Sequence, residues 1–155
     1  MTQLEAGDRA PDFSLPAGGP EPISLHALRG SKIVLYFYPK DDTDACSAEA
    51  IAFNGLRPEF AQAGAQIIGI SPDSLASHAK FKRKRGLDLA LASDEDRGVL
   101  EAYGVWKERS MYGRKFMGVE RTTMLIDAQG AIARIWRKVR VRGHAEEVLA
   151  AARAL

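Results

Sequence analysis

The sequence contains one cysteine, Cys46, in 155 residues. With no second cysteine the chain can close no disulfide on itself, and a reducing compartment is the expected setting. A Cys-x-x-Cys redox pair is also excluded, because Glu49 stands where its second member would be. The three histidines, His26, His78 and His144, lie far apart without metal-ligand spacing, so each reads as a satisfied or exposed imidazole. There is no Gly-x-Gly-x-x-Gly and no phosphate loop with its lysine, and neither nucleotide nor metal is expected. Charge of one sign is lacking too. A formal net charge of +2 argues against nucleic acid as the main partner. No apolar run approaches membrane-spanning length, and the start, Met1 to Asp8, has neither the basic residues nor the apolar stretch of a signal peptide. The expectation is a cytoplasmic protein without membrane contact.

What remains is ordinary globular composition, 46% hydrophobic and 27% charged, which fits one domain over residues 4–155. Asp12 to Leu15 and Ile23 to Leu25 flank a turn-rich Pro16 to Pro20 and read as a short hairpin, followed by one helical turn that Gly30 ends. Lys32 to Tyr38 is β-branched and aromatic, the composition of a buried strand. Ala48 to Phe60 has helical spacing at Ala52, Phe53, Leu56 and Phe60, with Pro58 expected to kink or restart the helix. Gln66 to Ser71 is a second apolar strand, and strand, helix, strand at this spacing indicates a parallel βαβ unit.

Ser74 to Arg85 predicts a helix stopped by Gly86, whose basic end, Lys80 to Arg85, offsets the dipole rather than binding nucleic acid. Leu87 to Ala92 predicts a strand and Arg97 to Tyr103 a short helix. Gly104 to Glu120 reads as a long connection rich in Lys, Arg, Met and aromatics, either a plain surface loop or a segment ordered over a site. Two further strands, Thr122 to Ile126 and Ala131 to Val139, meet through a turn at Asp127 to Gly130. A final helix carries Glu146 and Glu147 in its first turn and an apolar face of Val148, Leu149, Ala152 and Leu155. The order gives an α/β fold.

The chemistry concentrates between the first long strand and the helix after it, in Tyr38-Pro39-Lys40-Asp41-Asp42-Thr43-Asp44-Ala45-Cys46-Ser47-Ala48-Glu49. A lone cysteine is often inert packing. At a helix start, however, unpaired backbone N–H groups and the positive end of the dipole favour the reactive thiolate.

The pattern Pro39-x-x-x-Thr43-x-x-Cys46, preceded by Tyr36-Phe37-Tyr38 and followed by Glu49, resembles the active-site signature of peroxiredoxins, specifically the bacterioferritin comigratory protein (PrxQ) branch. The resemblance continues through Lys107-Glu108-Arg109, Met111 to Arg114, Gly118 to Asp127, Trp136 to Val139 and Gly143-His144, and covers nearly the whole chain. It implies a thioredoxin-like fold, a central mixed sheet with helices on both faces. It also implies reduction of hydrogen peroxide or small organic hydroperoxides through a sulfenic acid on Cys46, without cofactor. Electrons come from an external thiol such as thioredoxin or glutaredoxin, and a monomer is expected. The alternative is a peroxiredoxin-like redox sensor or binding protein with little turnover.

The same resemblance assigns roles. Thr43 would orient peroxide, or else cap the helix. Arg121, distant in sequence, would support thiolate and transition state. Pro39 would shield the pocket, or serve as a turn proline. Glu49 would orient Arg121 through an ion pair, or simply be an acidic residue in the first helical turn. Two departures stand out. Asp44-Ala45 replaces the Pro-Gly common before the cysteine. Ile51 and Lys82 stand at or near the places where many members carry a resolving cysteine.

Overall fold

The computed structural model describes residues 3–155; Met1 and Thr2, the first residues of the stretch read for a signal peptide, lie outside it. Its centre is β3, Lys32–Phe37, whose side chains alternate between two buried layers. Val34 and Tyr36 enter one layer and Ile33, Leu35 and Phe37 the other, which is why this strand reads as a continuous apolar run. β3 pairs in parallel with β4, Ala65–Ser71, and β4 in parallel with β5, Ala90–Ser93. On its other edge β3 pairs antiparallel with β8, Thr122–Ile126, and β8 with β9, Ile132–Arg137. The result is a five-stranded mixed sheet in the order β5-β4-β3-β8-β9.

Helices cover both faces, unequally. The layer containing Tyr36 is filled by Phe53 of α1 (Asp44–Gly55), Phe60 of α2 (Arg57–Gln62), Phe81 of α3 (Leu75–Arg85) and Val148 of α5 (His144–Ala154). The opposite layer is closed by Leu100 of α4 (Gly98–Ala102), by Tyr103, and by the N-terminal hairpin of β1 (Ser14–Leu15) and β2 (Ile23–Ser24). Each fully buried large side chain contributes roughly 1.5–3 kcal/mol of transfer free energy, so the two layers anchor the sheet from both sides.

One glycine has a packing reason. Gly69 on β4 faces Tyr36 across the sheet, and a Cβ there would stand 2.6 Å from the tyrosine ring carbon Cζ. Only a residue without a side chain admits that ring.

Several boundaries differ from the sequence reading. The helix expected over Ala48 to Phe60 is two helices: α1 already begins at Asp44, and α2 restarts with Pro58 in its first turn, where its missing N–H is harmless. The strand expected from Leu87 starts at Ala90, because the N–H groups of Asp88 and Leu89 are taken by the Asn54 side chain instead of a neighbouring strand. Leu155 is 45% exposed and does not extend the apolar face of α5. Gly86 does end α3, in the left-handed region at φ 64°.

The largest correction concerns Gly104 to Glu120. This segment is an antiparallel hairpin of β6, Trp106–Met111, and β7, Arg114–Val119, turned at Tyr112 (φ 52°) and Gly113 (φ 76°). Two successive left-handed residues give the tight turn that matches strand twist. The hairpin escaped the alternation test because most of its side chains are exposed on both faces, so no apolar period is imposed on it.

Candidate active site

The chain leaves β3 at Phe37, passes through Tyr38 and half-buried Pro39, and enters α1 at Asp44. Cys46 is the third residue of α1 and 1% exposed. It therefore sits in the first turn, among backbone N–H groups that lack partners four residues back. Thr43 occupies the N-cap position but its side chain makes no capping bond; the hydroxyl donates to the Lys40 carbonyl at 3.2 Å. Of the two readings of Thr43, capping is not realised. Its oxygen keeps acceptor capacity on the exposed side, three residues before Cys46. Asp44 is exposed in the same first turn.

Arg121, just before β8, reaches this turn from across the sheet. Its Nη2 donates to Cys46 Sγ at 3.3 Å and its Nη1 to Glu49 Oε1 at 2.6 Å. Cys46 and Glu49 are three residues apart on α1 and so share a face, which allows one guanidinium to bridge them. The backbone of Arg121 is fixed as well, its carbonyl accepting from the Val139 N–H at 3.0 Å. Glu49 is 1% exposed and its second oxygen, Oε2, has no hydrogen-bond partner among the described residues. Burial pushes its carboxyl up to about 7 while Arg121 pulls the other way. For Arg121 burial opposes the charge, but Glu49 and Cys46 outweigh it and raise its pKa further. The guanidinium is therefore a permanent cation beside the sulfur.

The loop carrying Pro39 and Thr43 is pinned by a group the sequence reading missed. Asp41 is buried between exposed neighbours, and its carboxylate accepts from Tyr38 Oη at 2.6 Å and from Ser77 Oγ at 2.7 Å. It also lies 2.7 Å from Nδ1 of His78, whose Nε2 lies 3.1 Å from the Ala92 carbonyl. The Asp41 N–H donates to Asp73 at 2.8 Å. Burial pushes the Asp41 carboxyl up, but the bonds from His78, Tyr38 and Ser77 prevail and hold it below the ordinary value. Asp42, next along, is left-handed at φ 60° and pairs with Lys84 and Arg85 at the end of α3. Asp41, Asp73 and His78 bring three possible ligand atoms within 4.8 Å of one another. A cation would have to displace the hydrogen bonds just described.

The other histidines fit their reading: His26 is exposed, and buried His144 bonds Thr123 Oγ1 at 2.8 Å, with burial pushing its imidazole down. Pro39 and Arg121 also line an open cleft together with Arg109, Met111 and Phe116 of the β6–β7 hairpin and with Lys138 and Val139. The structure thus brings Cys46, Glu49 and Arg121 into contact and sets Pro39 and Thr43 on the loop beside them. Asp41 and His78 are the additions. Only the apolar-to-polar break after Tyr38 hinted at Asp41, and nothing in the sequence paired it with His78.

Residues 6–135 match the AhpC/TSA family. Peroxiredoxin Bcp of Xanthomonas campestris is 46% identical over 143 residues, covering 92% of this chain and 89% of that protein. Peroxiredoxin Bcp of Bacillus subtilis is 44% identical over 146 residues, covering 94% and 93%. Among solved structures, a cysteine-to-serine form of Xylella fastidiosa PrxQ superposes with a TM-score of 0.93 at 39% identity, covering 99% of this chain and 98% of the other. The bacterioferritin comigratory protein of Xanthomonas campestris, solved as a trapped intermediate and ligand complex bearing on alkyl peroxide reduction, superposes with a TM-score of 0.90 at 43% identity, covering 97% and 98%.

Proposed function

This chain belongs to the AhpC/TSA family as a peroxiredoxin of the Bcp (PrxQ) type, a thiol-dependent peroxidase with a thioredoxin-like fold, and from that premise we propose that Cys46 is its peroxide-reacting thiol. The observation that carries the assignment is the 3.3 Å contact between Arg121 Nη2 and Cys46 Sγ, at a helix start.

The reaction needs a thiolate, an oriented peroxide and stabilisation of the departing oxygen. The Arg121 guanidinium and the first turn of α1 favour the thiolate. The thiolate attacks one peroxide oxygen; the sulfur–oxygen bond forms, the oxygen–oxygen bond breaks, and the leaving oxygen departs as hydroxide or alkoxide and takes up a proton. Sulfur is oxidised to sulfenic acid and the peroxide is reduced to water or alcohol. The Thr43 hydroxyl orients the peroxide, and Arg121 offsets the charge that develops on the leaving oxygen. Pro39 narrows the approach and excludes water. Glu49 holds Arg121 in place rather than touching substrate.

Hydrogen peroxide and small organic hydroperoxides are the substrates of this reading. Reduction of the sulfenic acid falls to an external thiol, of thioredoxin or glutaredoxin type, since the sequence offers no second cysteine. Residues 4–155 act as one domain, supported by the two buried layers that share one sheet. We place the protein in the cytoplasm as a monomer; among the described residues no helix is long and apolar enough to cross a membrane.

The test is steady-state peroxide consumption with a thiol reductant, wild type against Cys46→Ser. Sustained turnover that the variant loses supports the reading. A single oxidation followed by arrest, whatever thiol is supplied, points to a sensor instead.

A further inference from the structure

We propose that the cleft between the β6–β7 hairpin and Arg121 is a docking site for a low-molecular-weight thiol bearing a carboxylate, which attacks the sulfenic acid of Cys46. The proposal rests on the assignment of Cys46 above and names the thiol that follows it.

Access comes first. Cys46 is 1% exposed, so any reductant must bring its sulfur in to the start of α1 rather than meet it at the surface. The open cleft of about 740 Å³ is of a size for a small thiol, and Pro39 and Arg121 are part of its lining. Arg121 is the residue that touches Sγ.

Charge decides which small thiol. Two glutamates line the cleft, and both are already paired: Glu120 with Lys107 at 3.2 Å and Glu108 with Lys115 at 3.7 Å. Arg121 is paired with Glu49. Two lining cations are left over. Arg109 donates one nitrogen to the Val119 carbonyl, and Lys138 is exposed; among the described residues neither has a carboxylate partner. Lys138 also holds a left-handed backbone at φ 49°, a conformation that costs a lysine free energy and is retained only where the surroundings fix it. Between these cations the wall is apolar, with Met111 58% and Phe116 45% exposed and Val139 beside them. An anionic head with a short carbon body and a thiol matches that lining.

The step balances without a further oxidant. The thiolate of the small molecule attacks the Cys46 sulfur, the sulfur–oxygen bond breaks, and hydroxide leaves and is protonated to water. A mixed disulfide results. A second thiol, small or protein-borne, then releases Cys46 as thiolate and carries off the disulfide.

The experiment uses full-length protein oxidised with one equivalent of hydrogen peroxide, with sulfenic acid first verified by dimedone capture on a separate aliquot. Mixed-disulfide formation is then timed by mass spectrometry with 3-mercaptopropionate, 2-mercaptoethanol and cysteamine, each rate divided by that thiol's thiolate concentration. The expected order is anionic, neutral, cationic, with a gap of roughly three- to tenfold between the extremes at low salt that shrinks at high ionic strength. Lys138→Gln and Arg109→Gln should each narrow the gap while leaving the hydrogen peroxide step at the wild-type rate. Equal rates per thiolate, or a gap that survives in both variants, would overturn the proposal. So would variants whose only loss is toward an anionic hydroperoxide, since the cleft would then belong to substrate. Absence of dimedone adduct would instead fail the Cys46 assignment itself.

Discussion

Arg121 and Cys46, 75 residues apart in sequence, meet with Nη2 3.3 Å from Sγ, and Glu49 holds the other arm of the same guanidinium at 2.6 Å. A guanidinium held at two nitrogens by two partners on one helix face has little freedom to swing away from the sulfur.

Arg121→Ala should therefore slow peroxide-driven thiol loss by about 10²-fold or more, because the charge developing on the departing oxygen loses its cationic partner. Arg121→Lys restores the charge but not the fork and should recover only part of the rate. Stopped-flow thiol loss reads both effects; superimposable traces for wild type and Arg121→Ala would remove Arg121 from the site.

Glu49 gives a prediction about stability with a definite sign. Its folded-state carboxyl, raised by burial from the ordinary 4.5 to about 7, keeps a proton that the unfolded chain has already lost. Between those two values the unfolded state binds fewer protons, so wild-type stability should fall as pH rises through that window. Glu49→Gln has no proton to lose and should show a flatter dependence. Urea unfolding of both proteins across the window measures it.

The Asp41–His78 pair runs the other way. Asp41 is held below its ordinary value of 3.8, so its contribution is fully present above that value and is lost as pH falls through the lower folded-state value. His78→Ala removes one of three hydrogen-bond partners of the buried carboxylate and should cost about 1–3 kcal/mol at neutral pH. Asp41→Asn should blunt the acid-side loss. Denaturant midpoints against pH, together with the peroxide-step rate, show whether the loop holding Thr43 depends on this pair.

Asp44-Ala45 replaces the proline-glycine pair common before the cysteine, and Asp44 is exposed two residues from Cys46. Like charges disfavour one another's ionised forms. Asp44→Asn should speed peroxide-driven thiol loss at neutral pH by a few-fold at low salt, and added salt should shrink the difference. Overlapping curves at low salt would mean the carboxylate does not act on Cys46.

Much of this site could be read from sequence for a physical reason. Pro39, Thr43, Cys46 and Glu49 lie on one strand–loop–helix connection, so their spacing alone places them near one another. Arg121 came only through resemblance, because pairing across a sheet leaves no local spacing to read. The hairpin at Trp106–Met111 and Arg114–Val119 reads in the sequence only as a long connection, a surface loop or a segment ordered over a site, since strands exposed on both faces show no apolar alternation. Asp41 stands among polar residues between Lys40 and Asp44, yet it alone of these turns inward to meet His78 from α3. Burial of a single carboxylate in such a run depends on a partner 37 positions away. No local pattern carries that information.

The central claim, that Cys46 is the thiol peroxide oxidises, is tested most directly by peptide-resolved mass spectrometry. The protein is exposed to one equivalent of hydrogen peroxide with dimedone present. The account predicts a dimedone adduct on the Cys46 peptide, no intramolecular disulfide, and progression to sulfinic acid when dimedone is omitted and peroxide is in excess. A Cys46 peptide recovered as free thiol, with the peroxide consumed elsewhere on the chain or not at all, would contradict it.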